Sequence, residues 1–227
     1  MDVFAALRTR QSVRAFLPRP VPRETLAEVL EAALRSPSWA NTQPWELHVV
    51  GGPVLEEIKA RYRVALAAGE QPALELPRPV GWPPALQERI TANGAAMYAA
   101  MGIAREDQAA RRRFGESMHL MAGAPQVILV CMDRSLGEWS MFDLGMLCQS
   151  IMLAARARGL DTCPAVAFVA FPRVLRQVLE IPPEQKIVVG IAVGYPDPRA
   201  PVNRHRSTRL PLAAVSRWYG FGEAPGE

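Results

Sequence analysis

Gln126-Val127-Ile128-Leu129-Val130-Cys131-Met132 reads as the centre of the fold. The run is apolar almost throughout and short, which suits a strand buried in a core better than a helix. Helical patterns precede it over 85–101 and 105–120. After it, 143–158 is apolar on nearly every side, predicting a helix buried in a core or a subunit interface, with Gly159 as its stop. Asp143 stands where it would cap that helix. Further strands are expected over 162–169 and 186–193, separated by a helix over 172–179.

Working towards the N-terminus, the pattern gives a helix over 53–67, a strand over 45–50 and a helix over 23–34, whose Leu26, Val29, Leu30 and Ala33 share one face. Pro18, Pro20 and Pro22 forbid helix in the extended piece before it, and a short helix over 3–9 opens the chain. This order predicts an α+β architecture with helices around one mixed sheet. It does not describe a Rossmann unit, because no G-x-G-x-x-G joins a strand to a helix, and a Walker-type loop is missing too. Any bound phosphate must therefore be held by side chains.

Composition sets the outer bounds. The chain has 227 residues, 49% of them hydrophobic, enough for a sizeable core, and a net charge of +4 with arginines dispersed among carboxylates. A small anionic ligand explains that excess as well as nucleic acid does. No apolar run is long enough to span a bilayer, and Asp2, Arg8 and Arg10 do not resemble the start of a secretory signal, so a cytoplasmic, unanchored protein is expected. Cys131, Cys148 and Cys163 are odd in number and lack metal-ligand spacing, as buried thiols in a reducing compartment would. One domain over 1–227 is expected, with a proline-rich loop and helix over 69–98 as its lid and an aperiodic arm over 195–227.

Two clusters carry chemistry. In Arg10-Gln11-Ser12-Val13-Arg14, alternation along an extended segment would put Arg10, Ser12 and Arg14 on one side. Guanidinium forks beside a hydroxyl supply the charge-assisted donors that a phosphate dianion requires, although a solvated basic turn is the commoner use of such a segment. The second cluster is Ser36-Pro37-Ser38-Trp39-Ala40-Asn41-Thr42-Gln43-Pro44-Trp45. Its hydroxyls could simply close turns, and Trp45 suits a core. Asn41 and Gln43 each pair a donor with an acceptor, which is what the pyrimidine edge of a flavin or a nucleobase demands.

Taken together, R-x-S-V-R-x-F followed by S-P-S-x-x-N-x-Q-P-W resembles the nitroreductase family, most of all its nitrobenzoate-reductase branch. The similarity extends to Gly159-Leu160-Asp161-Thr162-Cys163-Pro164, Gly194-Tyr195-Pro196 and the segment from Asn203 to Arg209. The resemblance implies an intertwined homodimer with a mostly antiparallel sheet and two FMN sites, each built from both subunits. It implies that Arg10, Gln11 and Ser12, with Arg206 and Arg209 from the arm, surround the FMN phosphate, Arg204 being a weaker candidate. Arg14 would lie near the pyrimidine edge, its charge favouring the reduced ring. From the other subunit, Pro37, Ser38, Trp39, Asn41 and Gln43 would line the ring. The segment Pro164-Ala165-Val166-Ala167 would stand where the family offers backbone N–H groups to it, although without the other motifs that segment reads as an ordinary strand. Val166 and Met118 stand where many relatives carry glutamate and asparagine.

The implied activity is ping-pong hydride transfer from NADH or NADPH through FMN to nitroaromatics, quinones or similar acceptors, with no residue as general acid. An enzyme of this fold doing dehydrogenation, dehalogenation or oxygen chemistry remains an alternative, as does a flavin-storage protein. Trp82, Arg89 and Tyr98 are candidate substrate contacts on the lid. His48, His119 and His205 are expected to be structural or solvated, and Glu88, Glu116 and Asp143 form no convincing acid pair.

Overall fold

A computed structural model describes residues 1–221. Helices α1 (Val3–Thr9) and α2 (Arg23–Ala33) lead to β1 (Trp45–Gly51), followed by α3 (Gly52–Ala67), α4 (Pro84–Ala100) and α5 (Gln108–His119). Then come β2 (Gln126–Asp133), α6 (Glu138–Ala157), β3 (Asp161–Ala165), α7 (Pro172–Leu179), β4 (Gln185–Gly194) and the short α8 (Leu212–Val215). The four strands form one sheet in the order β1-β2-β4-β3, every pair antiparallel. The parallel component of the expected mixed sheet is a single bridge, Ser12 to Thr162.

The unbroken apolar run of β2 follows from its central place. Val127, Leu129 and Cys131 join the core beneath α3 and α7, while Ile128, Val130 and Met132 join the one beneath α2 and α6. Side chains alternate across a strand, so a strand covered on both faces needs apolar residues at every position. Each core contributes by burial at roughly 25 cal/mol per Å². Tyr62, Phe168 and Phe171 are the bulkiest fully buried groups of the first; Leu144, Leu147 and Ile151 anchor the second.

Three sequence expectations are corrected. Helix α6 begins at Glu138, well ahead of Asp143, with Gly137 at its N-cap and no side-chain cap. Asp143 therefore lies inside the helix, only 2% exposed, and is not its cap. The strand expected over 162–169 ends at Ala165, and Val166–Val169 form a 3-10 turn. That edge strand tolerates Pro164, which lacks an N–H, and it breaks off where Phe168 and Val169 both turn into the core. The loop after α3 is also less free than its prolines suggest. Ala73 N–H donates to the Ala170 carbonyl at 2.9 Å, and Glu75 accepts from Arg176 at 2.8 and 2.9 Å and from the Ile187 N–H at 2.7 Å. Arg134 adds a further contact to Glu75 at 3.2 Å.

Candidate functional site

The segment after α1 is stitched into the fold from both sides. Val13 is fully buried, and its N–H donates to the Thr162 carbonyl at 2.9 Å. On the opposite side, Asn203 accepts from the Arg14 N–H at 2.9 Å and donates to the Ala15 carbonyl at 2.7 Å and the Asp197 carbonyl at 3.0 Å. Leu17 N–H reaches the Tyr195 carbonyl at 2.9 Å. Asn203 thus fastens the C-terminal arm against residues 14–17, and the arm carries Arg206 and Arg209 with it. Asn203 has no role that the sequence alone reveals; an amide side chain amid arginines and prolines was its one sign.

Between segment and arm lies a cavity of about 450 Å³ whose lining includes Arg8, Arg10, Arg14, Arg206 and Arg209, with Ser12 and Ser207 supplying hydroxyls. Gln11 lines it as well, so alternation does not strictly govern which side chains face inward. Among the described residues, no carboxylate lines it. Arg10 is held below its ordinary pKa first by burial and then by the charge of Arg209, with Asp161 acting against both. Bringing guanidinium groups together costs energy that a bound anion would recover. The buried Oε1 of Gln11 has no partner among the described residues, leaving an acceptor free for a ligand hydroxyl. A polyhydroxylated phosphate ester fits this donor set.

Beneath the cradle, Asp161 is 3% exposed and pairs with Arg156 at 3.0 Å. Burial raises its pKa, against Arg156, Arg206 and Arg10. Arg204, the weaker candidate, is exposed and does not line the cavity. His205 is buried and shares a hydrogen bond with Asn93 of α4 at 3.1 Å, a structural role. Burial, then Arg14, lowers its pKa.

The second cluster stands apart within one chain. Gln43 lines a different cavity, beside Trp45 and Gln185, and Trp39 is 68% exposed. Ala40, Asn41 and Gln43 all have positive φ, of 49°, 60° and 48°, a conformation that non-glycine residues avoid. Two side chains hold the loop there: Ser38 Oγ accepts from the Gln43 N–H at 2.9 Å, and both carboxylate oxygens of Asp143 accept from the Trp39 N–H at 3.2 Å. Asp143 is a loop-holding residue that the sequence reading mistook for a helix cap; a lone carboxylate in an apolar helix pointed to it. Ser36 hydroxyl reaches Ser150 of α6 at 2.7 Å. Trp45 is half-buried against the second core, as expected.

Pro164, Ala165 and Ala167 are half-buried, while Val166 is exposed. Met118 packs against the first core. His119 shares a hydrogen bond with the Ala167 carbonyl at 3.2 Å, and its pKa is lowered, by burial first, with the Ala167 bond opposing and Arg78 adding to the fall. His48 bonds Gln185 at 2.9 Å. Of the lid candidates, Tyr98 lies under Arg111 at 4.1 Å and joins α4 to α5, Arg89 lines a groove between α4 and the arm, and Trp82 is exposed. No metal-binding group and no helix long and apolar enough to cross a membrane occur among the described residues.

The fold and the cradle define an α+β protein with an arginine-lined cavity between its N-terminal segment and its C-terminal arm. The model of the Nitroreductase family matches residues 7–195, and the chain belongs to that family. It is 34% identical to a 4-nitrobenzoate reductase of Pseudomonas putida over 97% of this chain and 96% of that protein. It is 33% identical to nitroreductase NfnB of Mycolicibacterium smegmatis over 93% and 90%. Among solved structures, the FMN- and NADPH-dependent nitroreductase NfnB of sphigopyxis sp. strain HMH superposes with a TM-score of 0.93 at 34% identity, covering 97% of this chain and all of the other. The M. smegmatis NfnB complex with NADPH gives 0.90 at 31%, covering 96% and 100%.

Proposed function

We propose that the protein is an FMN-dependent oxidoreductase that takes a hydride from NADPH or NADH and reduces nitroaromatic compounds, quinones or similar electron-poor acceptors. The observation that carries this reading is the arginine cradle, which no carboxylate of the described residues lines and in which the charge of Arg209 helps to lower the Arg10 pKa. Relatives named as 4-nitrobenzoate reductase and as FMN- and NADPH-dependent nitroreductase support the substrate class and the reductant.

FMN, when bound, accepts hydride from the nicotinamide and passes it on. This chain's residues bind and orient. Arg10, Arg206 and Arg209 neutralise the phosphate with help from Ser12, and Gln11 takes a hydroxyl of the ribityl chain. Arg14 is fixed by its own bond to the Ser12 carbonyl, at 3.1 Å, and brings positive charge towards the pyrimidine edge. Backbone N–H groups at 165–167 address the ring, and the side chains of Ala165, Val166 and Ala167 give that wall an apolar surface. No side chain is assigned as proton donor, which leaves water to deliver the proton.

The second half of the site comes from a partner copy. Val3, Phe4 and Leu7 of α1 are exposed, as are Trp139 and Phe142 of α6, against which α1 packs. A face of this kind calls for a protein partner. The loop bearing Trp39, Asn41 and Gln43 is tethered to Asp143, next to Phe142, so burying the α6 face against a second copy carries that loop into the interface. The exposed Trp218, Tyr219 and Phe221 extend the apolar surface along the arm. Residues 222–227, the end of the expected arm, lie outside the described residues. The lid narrows to 77–98, since Leu74 and Leu76 pack on the cores and Glu75 is locked. Three free thiols suit a cytoplasmic location.

Turnover of 4-nitrobenzoate with NADPH, after reconstitution with FMN, tests the reading. NADPH consumption that requires both FMN and the nitro compound is expected; its absence with nitroaromatics and quinones alike overturns the proposal.

A further inference from the structure

Two side chains from separate helices hold the turn that follows β3. Ala167 carbonyl accepts from His119 Nδ1 at 3.2 Å, so that nitrogen carries the proton, and Phe168 carbonyl accepts from the Tyr62 hydroxyl at 3.1 Å. His119 ends α5 and Tyr62 lies in α3. Their rings meet through Phe171, which stands edge-on to Tyr62 at 4.9 Å and tilted to His119 at 6.0 Å. Below, Gly190 lets Phe168 come down onto β4: a Cβ there would lie 2.7 Å from the Phe168 Cβ.

A peptide unit is planar, so its carbonyl and the following N–H point in opposite directions. Drawing the Ala167 and Phe168 carbonyls inward therefore fixes two successive peptide planes. Those planes carry the Phe168 and Val169 N–H groups; the Ala167 N–H lies on the preceding plane, whose freedom the held carbonyl narrows through the φ and ψ of Ala167. Val166 has no polar side chain, so the turn can address a ring only through its backbone. Orientation of that backbone then rests on what grips the carbonyls.

We infer that His119, together with Tyr62, is a positioning residue for hydride transfer: its bond to the Ala167 carbonyl restrains the backbone of Ala167, and with it the direction of the flavin-facing Ala167 N–H. This rests on the FMN reading above. His119 neither donates a proton to the acceptor nor holds the cofactor, whose phosphate grip lies in the arginine cradle.

The test uses full-length His119→Ala, His119→Asn and Tyr62→Phe. In H119N the side-chain amide offers a donor close to where Nδ1 stands. Amide hydrogen exchange of the apoprotein over 165–170 reports the clamp directly, and single-turnover reduction of the FMN-loaded protein by NADPH reports its consequence. For H119A the expected result is faster exchange over this segment and an FMN Kd within about threefold of wild type. Reduction should slow about tenfold, the loss that one hydrogen bond of this kind sets. H119N recovers both. Y62F, which keeps the aromatic packing, shows faster exchange and slower reduction, and decides the matter should H119A fail to fold. Wild-type exchange and reduction in H119A or Y62F overturns the inference, as does an H119N protein impaired as much as H119A. In either case a yellow wild-type protein leaves the FMN reading intact, whereas a wild type that binds no FMN overturns both.

Discussion

Replacing Arg209 by alanine probes the cradle with least disturbance to the core. Arg209 is exposed, and among the described residues its own hydrogen bonds run only to the neighbouring carbonyls of Ser207 and Thr208, at 3.2 and 2.9 Å. Its charge, after burial, holds down the pKa of Arg10, so in the apoprotein the two guanidinium groups oppose one another. Removing one relieves that repulsion, and the apoprotein should keep its urea stability within about 0.5 kcal/mol. With FMN the sign reverses. A charge-assisted hydrogen bond to phosphate is worth about 1.5–3 kcal/mol, so FMN should bind about 10- to 150-fold more weakly. At a concentration of 100 times the wild-type Kd, FMN stabilises wild type by about 2.7 kcal/mol, and a variant weakened 100-fold by about 0.4 kcal/mol. Flavin-fluorescence titration and paired urea melts, with and without FMN, measure both quantities. An unchanged Kd, or an apoprotein destabilised by about 2 kcal/mol or more, would refute the assignment of Arg209 to an anion site rather than to the fold. Arg10→Ala is expected to weaken FMN binding comparably.

Asp143→Leu should cost about 2 kcal/mol, because the Trp39 N–H loses its acceptor in a loop already held at positive φ, while Asp143→Asn keeps an acceptor and should cost under about 1 kcal/mol. Equal urea midpoints for the two variants would contradict this. Gly190→Ala drives a Cβ against Phe168 and should destabilise by about 1–3 kcal/mol; a variant as stable as wild type would mean that the turn yields freely. Burial raises the Glu75 pKa, but the Ile187 N–H, Arg176 and Arg134 outweigh it, so its carboxyl titrates below the ordinary carboxylate range. A depressed folded-state pKa gives stability that is complete above the unfolded value and is lost as pH falls through the folded one. Urea midpoints should therefore begin to drop below about pH 4.5, and Glu75→Gln should flatten part of that acid limb. An acid limb identical in the variant would show that Glu75 contributes nothing to it.

Much of the fold was legible because β2 and α6 are apolar where both faces of an element are covered, and because prolines and glycines marked the breaks. The errors share one cause: a side chain's partner lay far off in sequence. Asp143 resembles a cap until the Trp39 N–H is seen to be its partner, and residues 166–169 resemble strand until Phe168 is seen to pack over Gly190. Likewise, Glu75 in a proline-rich stretch gives no hint of Arg176 and Arg134 across the fold. Arg10 and Arg14 were legible from their types and spacing, and Arg206 and Arg209 only through the family resemblance; the clasp that unites them, Asn203 bridging residues 14 and 15, was not.

The central claim is that a cradle from one copy and the Trp39–Asn41 loop of another grip one FMN. Refolding an Arg10→Ala chain with an equal amount of an Asn41→Ala chain tests it most directly. Each variant alone lacks an intact site, whereas a mixed dimer regenerates one. If pairing is random, the mixture should recover about a quarter of wild-type nitroreductase activity, although each parent is nearly inactive. Recovery no greater than the sum of the parents, with mixed dimers demonstrably formed, would contradict the claim.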